Sequence, residues 1–395
     1  MSPSPAWTSS LSALDRYEAI RSIEASHPAA EAVALERRAY EDSASRDEYD
    51  AACSRAAGSN IQSASHDAVL LSPISPVTGI RIGPYNDCVF VAEGVTSRVY
   101  RSEDCALKVI IAHAPLEPHS PQREIKVLQR LRPPCIPLLD VFRDQEQRLV
   151  LKFPFVPMTL AGLLAAGQPS STELRAIFTD TLRALEAIHA DGIVHRDIKP
   201  SAVLLASPTG PAFLSDFGTA WHPSLSPPSE PADAKILDIG TGAYRAPEVL
   251  FAHRGYGPPV DMWGLGVMLA EALRSPPCPP FESRSVDEDG NQLGLILSIF
   301  KTLGTPTAET WPEARHFLVS PFELWTVFPP RSWAEILPVA DPLFRDLVAA
   351  LVRYDGQRAS ATEVSRKVHT TYPASSVALI SQLQALGFQC LVEAS

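Results

Sequence analysis

Three short motifs in the second half of the chain contain residue types that could do chemistry. In chain order they are His195-Arg196-Asp197-Ile198-Lys199-Pro200, Asp216-Phe217-Gly218 and Ala246-Pro247-Glu248. An aspartate can accept a proton or bind Mg²⁺, and a lysine can neutralise an anionic group. One tripeptide alone is weak evidence, but three in this order and at this spacing leave little room for chance.

In this order the motifs resemble the catalytic loop, the metal-binding loop and the end of the activation segment of eukaryotic protein kinases. The resemblance implies transfer of the ATP γ-phosphate, a reaction in which the protein supplies positioning and charge neutralisation. Asp197 is then expected to accept or orient the proton of the attacking hydroxyl, and Lys199 to place positive charge near the transferring group. Asp216 is expected to hold Mg²⁺. The position of Lys199 resembles serine/threonine kinases rather than tyrosine kinases.

Two further charged residues lie upstream of these motifs. Lys108 lies on a predicted strand, and Glu124 lies on a predicted helix around residues 123–131. Taken alone, each would be read as a solvated surface charge. Their position relative to the three motifs resembles the kinase lysine that contacts the α- and β-phosphates and its glutamate partner. We therefore expect Lys108 and Glu124 to form an ion pair.

The resemblance divides the expected nucleotide site between a loop and an apolar pocket. The loop matches G-x-G-x-x-G-x-V only at Gly94, with Ala92 and Ser97 at the other glycine positions. Small residues still let backbone N–H groups approach phosphates, so the loop is expected to cover ATP but to fit it less closely. The expected nucleotide-binding residues are Val91, Ala92, Glu93, Gly94, Val99, Ala106, Lys108, Phe153, Pro154, Val156 and Leu204.

The resemblance extends over nearly all of residues 88–368. Residues in the later part of the chain narrow it to the cyclin-dependent-kinase group. The stretch 299–306, followed by Trp311-Pro312, is similar to the insert of that group. Arg358 is expected to pair with Glu248. The group resemblance extends to single-subunit fungal kinases that activate other cyclin-dependent kinases, so a protein substrate, including another such kinase, is the expected partner.

Two departures bear on regulation. Residues 118–124 are only loosely similar to the helix that contacts cyclins, which argues against dependence on a cyclin. The activation-loop threonine that many relatives must have phosphorylated falls at Ile236. We therefore expect a kinase that needs no activating phosphorylation at that position.

Ala202 is the departure with the largest consequence for catalysis. In the family pattern this position is an asparagine, whose oxygen binds a second Mg²⁺ and whose amide steadies the catalytic aspartate. A methyl group can do neither. The sequence leaves two alternatives open: an active enzyme in which Asp216 and water carry the metal, and a catalytically impaired pseudokinase that binds nucleotide as a scaffold.

The pattern of the sequence changes along the chain and predicts two lobes. Short β-like runs follow residue 88, whereas apolar residues recur at helical spacing from Ser171 onward. The implied fold is an α+β, bilobal protein-kinase fold with a β-rich N-terminal lobe and a mainly helical C-terminal lobe. The expected parts are an extension over 1–80, partly disordered or helical, a kinase domain over 81–370 (small lobe to about 153, hinge 154–157, large lobe 158–370) and a tail over 371–395.

Composition limits the partners. The chain has 395 residues, a net charge of -11 and no cluster of Lys and Arg, which argues against a nucleic-acid-binding surface. It contains no apolar stretch long enough to cross a bilayer and no signal-peptide pattern at its start. Its six cysteines lack the spacing of a zinc site or a disulfide framework. We expect a soluble protein of the cytoplasm, the nucleus or both.

Overall fold

Contacts divide the chain into two compact units, residues 1–76 and 77–395. In the first unit, helix α1 spans Arg46–Gly58, and Ile23, Tyr49 and Cys53 are buried together. Most of the expected extension, and residues 372–395 of the expected tail, lie outside the residues that the structure describes. The computed structural model describes residues 23, 35–36, 38–40, 43, 45–58, 79–112, 116–283, 292–322 and 326–371.

The small lobe of the second unit is an antiparallel sheet of six strands in the order β1-β2-β3-β4-β6-β5. Alternation along β4 buries Cys105, Leu107 and Val109 in one core and turns Ala106 and Lys108 to the other face. Because side chains of a strand alternate between its two faces, Lys108 lies on the face opposite to that core. The strands are β1 Ile80–Ile82, β2 Tyr85–Glu93, β3 Ser97–Ser102, β4 Cys105–Ile110, β5 Asp140–Arg143 and β6 Leu149–Pro154.

One helix, α2, packs on this sheet and spans Pro121–Leu128. The sequence predicted it over about 123–131, so it begins two residues earlier and ends three residues earlier. It begins early because the Ser120 side chain accepts the Arg123 N–H at 3.3 Å and Pro121 needs no partner for its nitrogen. Glu124, Val127 and Leu128 share its buried face.

The large lobe is mainly helical, as the sequence predicted. Helix α4 begins with a capping box in which Ser170 and Glu173 satisfy each other's backbone N–H groups. Helix α6 is mostly apolar and is buried on all sides from Val260 to Ala272. The helices are α3 Leu160–Ala166, α4 Ser171–Ala190, α5 Pro247–Leu250, α6 Pro259–Ala272, α7 Leu293–Leu303, α8 Trp333–Ile336, α9 Pro342–Leu351 and α10 Ala361–Thr371.

A second, three-stranded sheet brings two distant motifs together. It is ordered β7-β8-β9, with β7 at Met158–Thr159, β8 at Val203–Leu205 and β9 at Ala212–Leu214. Strand β8 begins directly after the catalytic-loop motif, and β9 ends just before Asp216. Because Val203 pairs with Leu214, the two loops must lie side by side.

No helix among the described residues is long and apolar enough to cross a membrane. Five of the six cysteines fall within the described part of the chain, and these five form no disulfide with one another; Cys390 lies outside it.

The predicted ion pair between Glu248 and Arg358 is present and joins residues 110 positions apart. The Arg358 Nη1 and Nη2 groups donate to Glu248 Oε1 at 2.5 Å and Oε2 at 2.8 Å, and the arginine side chain is fully buried. Its guanidinium also lies 4.9 Å from the ring centre of Trp263. This pair fixes the end of the activation segment to the base of the large lobe.

Replacing Arg358 by alanine should destabilise the fold strongly, because it leaves the Glu248 carboxylate buried without a cation. We expect a loss of about 3–5 kcal/mol in the free energy of unfolding. Arg353→Ala is the matched control, since Arg353 pairs with Asp355 at the surface and should lose only about 0–1 kcal/mol. Urea unfolding of both variants tests this, and equal losses would contradict it.

Candidate active site

Lys108 lies between two carboxylates at the boundary of the lobes. Its Nζ donates to Glu124 Oε1 at 2.7 Å and to Asp216 Oδ1 at 3.0 Å. Strand β4 presents the lysine, helix α2 presents the glutamate, and the loop after β9 presents Asp216. Three residues that are far apart in sequence therefore meet in one cleft, including the Lys108–Glu124 ion pair that the sequence led us to expect.

The charges in this cluster stabilise one another. Burial alone would lower the pKa of Lys108, but Asp216 and Glu124 together raise it above its ordinary value. Lys108 in turn holds the pKa of Asp216 well below its usual range. Lysine and aspartate therefore stay charged across the physiological range of pH.

The catalytic-loop aspartate also has two partners. Asp197 Oδ2 accepts from Lys199 Nζ at 2.5 Å, and Asp197 Oδ1 accepts from the Thr241 hydroxyl at 2.7 Å. Lys199 Nζ donates to the Thr241 oxygen as well, at 3.0 Å. The side chains of Asp197, Lys199 and Thr241 therefore form a closed triangle of hydrogen bonds.

The backbone of the catalytic loop is held by a buried carboxylate. Asp261 accepts the backbone N–H of His195 at 2.9 Å and that of Arg196 at 2.8 Å, and His189 Nε2 lies 2.8 Å from it. Arg196 has a φ of +73°, which is strained for a residue with a side chain. Anchoring by Asp261 fixes the strained residue directly before Asp197.

The metal-binding loop is held in a second strained turn. Asp216 has a φ of +62°, and the adjacent Phe217 is fully buried with its ring centre 4.9 Å from that of His195. His195 Nε2 lies 2.9 Å from the Ser215 carbonyl oxygen. Ser120, at the start of α2, donates its N–H to the Gly218 oxygen at 2.9 Å. Packing around Phe217 thus directs the Asp216 carboxylate toward Lys108.

Ala202 is buried beside these groups, and its backbone holds the metal-binding loop. Its carbonyl oxygen accepts the backbone N–H of Ser215 at 2.8 Å and the Ser215 hydroxyl at 2.9 Å. Its side chain, at 1% exposure for the residue, offers no ligand atom. The position therefore keeps a loop-ordering contact but supplies no donor to a metal.

The expected nucleotide residues fall into a partly buried group near Lys108 and an exposed loop. Register pairs Val99 with Lys108 and Ala106 with Phe153, so these side chains share a region of sheet next to the lysine. Together with Val156 and Leu204 they are half-buried although apolar. Pro154, the last residue of β6, is buried. The loop residues Val91, Ala92, Glu93 and Gly94 are all exposed, and the Gly94 N–H closes the turn onto the Ser97 oxygen at 2.8 Å.

Comparison with known proteins identifies the family. Residues 90–369 match the protein kinase domain. The chain belongs to the protein kinase domain family.

Among the curated relatives of this kinase, the serine/threonine-protein kinase csk1 of Schizosaccharomyces pombe is 37% identical over 61% of this chain and 77% of its own length. The serine/threonine-protein kinase CAK1 of Saccharomyces cerevisiae is 28% identical over 60% of this chain and 78% of its own length. A solved structure titled as the yeast RNA Pol II CTD kinase CTDK-1 complex has a TM-score of 0.59 and 26% identity, covering 76% of this chain and 95% of the other.

These similarities confirm the bilobal kinase fold and the assignment to serine/threonine protein kinases. A rice relative named cyclin-dependent kinase F-3 is 29% identical over 70% of this chain, in keeping with the group resemblance. Members of the protein kinase family use ATP and Mg²⁺.

The sequence analysis of the kinase missed two residues. The contact of Asp261 with the catalytic loop could have been found, because Asp261 is one of two acidic residues, with Glu271, in a mostly apolar helix. Glu230 is also buried, at 2% exposure, and bonds to Arg196. Its neighbours in sequence are prolines, serine and alanine, which gave no signal.

Removing the charge of Glu124 should lower activity, because Lys108 would lose the partner that positions it. For Glu124→Gln we expect kcat to fall on the order of a hundredfold, the loss typical of a misplaced catalytic group. Asp191→Asn, which breaks an exposed pair with Arg130, is the matched control and should leave kcat unchanged. Initial rates of phosphate transfer at varied ATP measure both, and equal rates for the two variants would refute the expectation.

Proposed function

We propose that this kinase is catalytically active and transfers the γ-phosphate of ATP to serine or threonine in a protein substrate. One observation carries the proposal: both charged clusters of the site are formed at the same time. Lys108 bonds to Glu124 and Asp216, while Asp197 bonds to Lys199 and Thr241. A site organised in this way needs little rearrangement before the reaction.

The donor set fits ATP with Mg²⁺. The Asp216 carboxylate is half-exposed, and the Lys108 ammonium lies beside it. The carboxylate can therefore bind Mg²⁺ while the ammonium binds a phosphate. Mg²⁺ usually takes one or two carboxylates and completes its shell with phosphates and water, so a site with one exposed carboxylate can hold it. Asp216 would hold the ion, whose bound charge neutralises the phosphate oxygens.

The residues of the chain divide the remaining work. Asp197, steadied at both oxygens, accepts or orients the proton of the substrate hydroxyl. Lys199 keeps positive charge next to the reacting group, and Lys108 contacts the α- and β-phosphates. The half-buried surface of Val99, Ala106 and the other apolar cleft residues covers the adenine, because apolar side chains left open to water favour a flat apolar ligand.

A second candidate function follows from Ala202. Without an asparagine here, a second Mg²⁺ has one fewer ligand. The second candidate is therefore a scaffold that binds nucleotide without transferring phosphate, since such a protein would not need that ligand. Two contacts favour the active enzyme. Ser215 is held by the Ala202 carbonyl rather than by a side chain, and Asp197 already has partners at both oxygens.

We propose that the protein substrate is another cyclin-dependent kinase. We also propose that this kinase acts in the cytoplasm, the nucleus or both. The matches to csk1, CAK1 and cyclin-dependent kinase F-3 support this choice, and the CTDK-1 match suggests an RNA-polymerase-tail peptide as the competitor. We propose that no cyclin is required, because residues 118–124 are only loosely similar to the helix that contacts cyclins in that group.

The purified chain alone should label an inactive cyclin-dependent kinase with radioactive phosphate from Mg-ATP. The substrate is offered in two forms, with its activation-loop threonine present or replaced by valine, and only the first should be labelled. Asp197→Ala should abolish transfer because the group that orients the hydroxyl is lost, whereas Asp346→Ala, an exposed carboxylate on α9, should not.

The outcomes separate the parts of the proposal. Wild-type transfer no higher than that of Asp197→Ala favours the scaffold. Labelling of the polymerase-tail peptide alone contradicts the choice of substrate, and a need for added cyclin contradicts independence from it.

Ala202→Asn should raise the transfer rate most at low Mg²⁺, because it restores a metal ligand. We expect an increase on the order of tenfold, about 1.4 kcal/mol in the barrier. Ser201→Asn places the same side chain at the exposed neighbouring position and should change nothing. Rates are measured across a Mg²⁺ titration at matched melting temperatures, and the expectation fails if the two variants have the same profile.

A further inference from the structure

Glu230 is a buried carboxylate in the activation segment, the stretch between Asp216 and Glu248. It is 2% exposed, although it lies on a loop. Its Oε1 accepts from Arg196 Nη1 and from the backbone N–H of Ile236, the latter at 3.0 Å. Its own carbonyl accepts the indole N–H of Trp221 at 3.0 Å. A glutamate is rarely buried to this extent unless a cation holds it.

The cations around Glu230 belong to the two elements that carry the catalytic groups. Arg196 directly precedes Asp197, and Arg123 directly precedes Glu124 on helix α2. Arg123 Nη1 lies 3.7 Å from Glu230 Oε2, an ion pair just beyond hydrogen-bonding distance. One carboxylate therefore connects the activation segment to the catalytic loop and to the small-lobe helix.

The region would be strongly cationic without this carboxylate. Arg123, Arg196 and Lys235 are each at most 3% exposed. Lys235 Nζ lies over the rings of Trp221 and Tyr256, 4.5 Å and 5.2 Å from their centres. Two more acids lie nearby: Glu117 is 3.6 Å from Arg123 and half-exposed, and the charge of Asp233 acts to raise the pKa of Lys235.

Even with Glu230 present, positive charge remains in excess. Burial and the neighbouring Arg196 lower the pKa of Arg123, and burial and Arg196 do the same to that of Lys235. Within the described residues, Arg196 Nη2 and Arg123 Nε are buried without a hydrogen-bond partner. Paired arginines of this kind are the usual partners of a phosphate as well as of a carboxylate.

We propose that Glu230 is a positioning residue that supplies, from within the chain, the negative charge that a phosphorylated threonine supplies in kinases whose activation loops are ordered by phosphorylation. This inference rests on the proposed catalytic function. The phosphorylated position of relatives falls at Ile236, which cannot be phosphorylated, and its backbone N–H is bonded to the Glu230 carboxylate. The active arrangement is therefore built without a modification.

The charge acts on catalysis through the arginines. Arg196 adopts a strained backbone with φ of +73°, and its guanidinium is held by Glu230, by the Thr219 carbonyl oxygen and by the Tyr256 hydroxyl at 3.2 Å. Loss of the carboxylate would leave Arg196 with neutral partners alone and repelled by Arg123. Asp197 and Glu124, one residue away from these arginines, would lose their alignment, while the apolar nucleotide pocket would be unaffected.

The test compares Glu230→Gln, which keeps the shape and removes the charge, with Asp233→Asn, which removes a charge from an exposed position of the same segment. The full-length chain is treated with phosphatase, and mass spectrometry verifies that residues 217–245 carry no phosphate. We expect unmodified wild type to keep its full rate. Glu230→Gln should lose kcat by roughly ten- to a hundredfold with little change in KM for ATP, and Asp233→Asn should match wild type.

Two further variants separate positioning from folding. Glu230→Asp keeps the charge on a shorter side chain and should recover part of the lost kcat. In a background of Arg123→Gln, the effect of Glu230→Gln on kcat should shrink, because one of the two arginines through which it acts is gone. If Glu230→Gln lowers the melting temperature, the phosphatase treatment of wild type still tests the inference, because it needs no variant.

The inference is overturned if phosphatase removes the activity of wild type, or if Glu230→Gln has the kcat of Asp233→Asn. It is also overturned if Glu230→Gln raises KM for ATP with kcat unchanged. Wild-type activity equal to that of Asp197→Ala would instead overturn the proposed function on which the inference rests.

Discussion

The ammonium group of Lys108 lies between two carboxylates that reach it from different parts of the kinase. Glu124 comes from the small-lobe helix, and Asp216 comes from a loop that follows the second sheet. Burial lowers the pKa of Lys108 unless these partners are present, and the buried Glu124 carboxylate would be costly to keep ionised without a cation. The closed arrangement of helix, sheet and loop is therefore maintained by one three-way charge interaction.

Around this cluster, buried acids hold loops that have no regular secondary structure of their own. Asp261 fixes the backbone before Asp197, Glu248 is held by Arg358, and Glu230 pairs with Arg196. Each acid is buried and each accepts charged or backbone donors, so each has one favourable geometry. These acids therefore attach the loops of the site to the packed helices of the large lobe.

Much of the fold and of the site could be predicted from the sequence, because short motifs identify the residues that belong to each loop. The order of Asp197, Asp216 and Glu248, with Lys108 upstream, was sufficient for the fold and for the residues that meet in the cleft. Glu230 could not be predicted in this way. Its importance depends on the path of a proline-rich loop that returns it to two arginines distant in sequence, and no local pattern encodes that path. The bounds of α2 were missed for a local reason, the cap formed by Ser120.

Two features of the chain affect the alignment of Asp197: the alanine at position 202 in place of an asparagine, and the carboxylate of Glu230. In relatives, Asp197 would be steadied by an amide from one side and by an arginine held on a phosphate from the other. Here the amide is absent, and Thr241 and Lys199 occupy both oxygens of Asp197. A carboxylate that cannot be removed by a phosphatase holds Arg196. On the function proposed above, the alignment of Asp197 depends on fixed side chains of the chain itself, while Ala202 offers a metal ion no ligand.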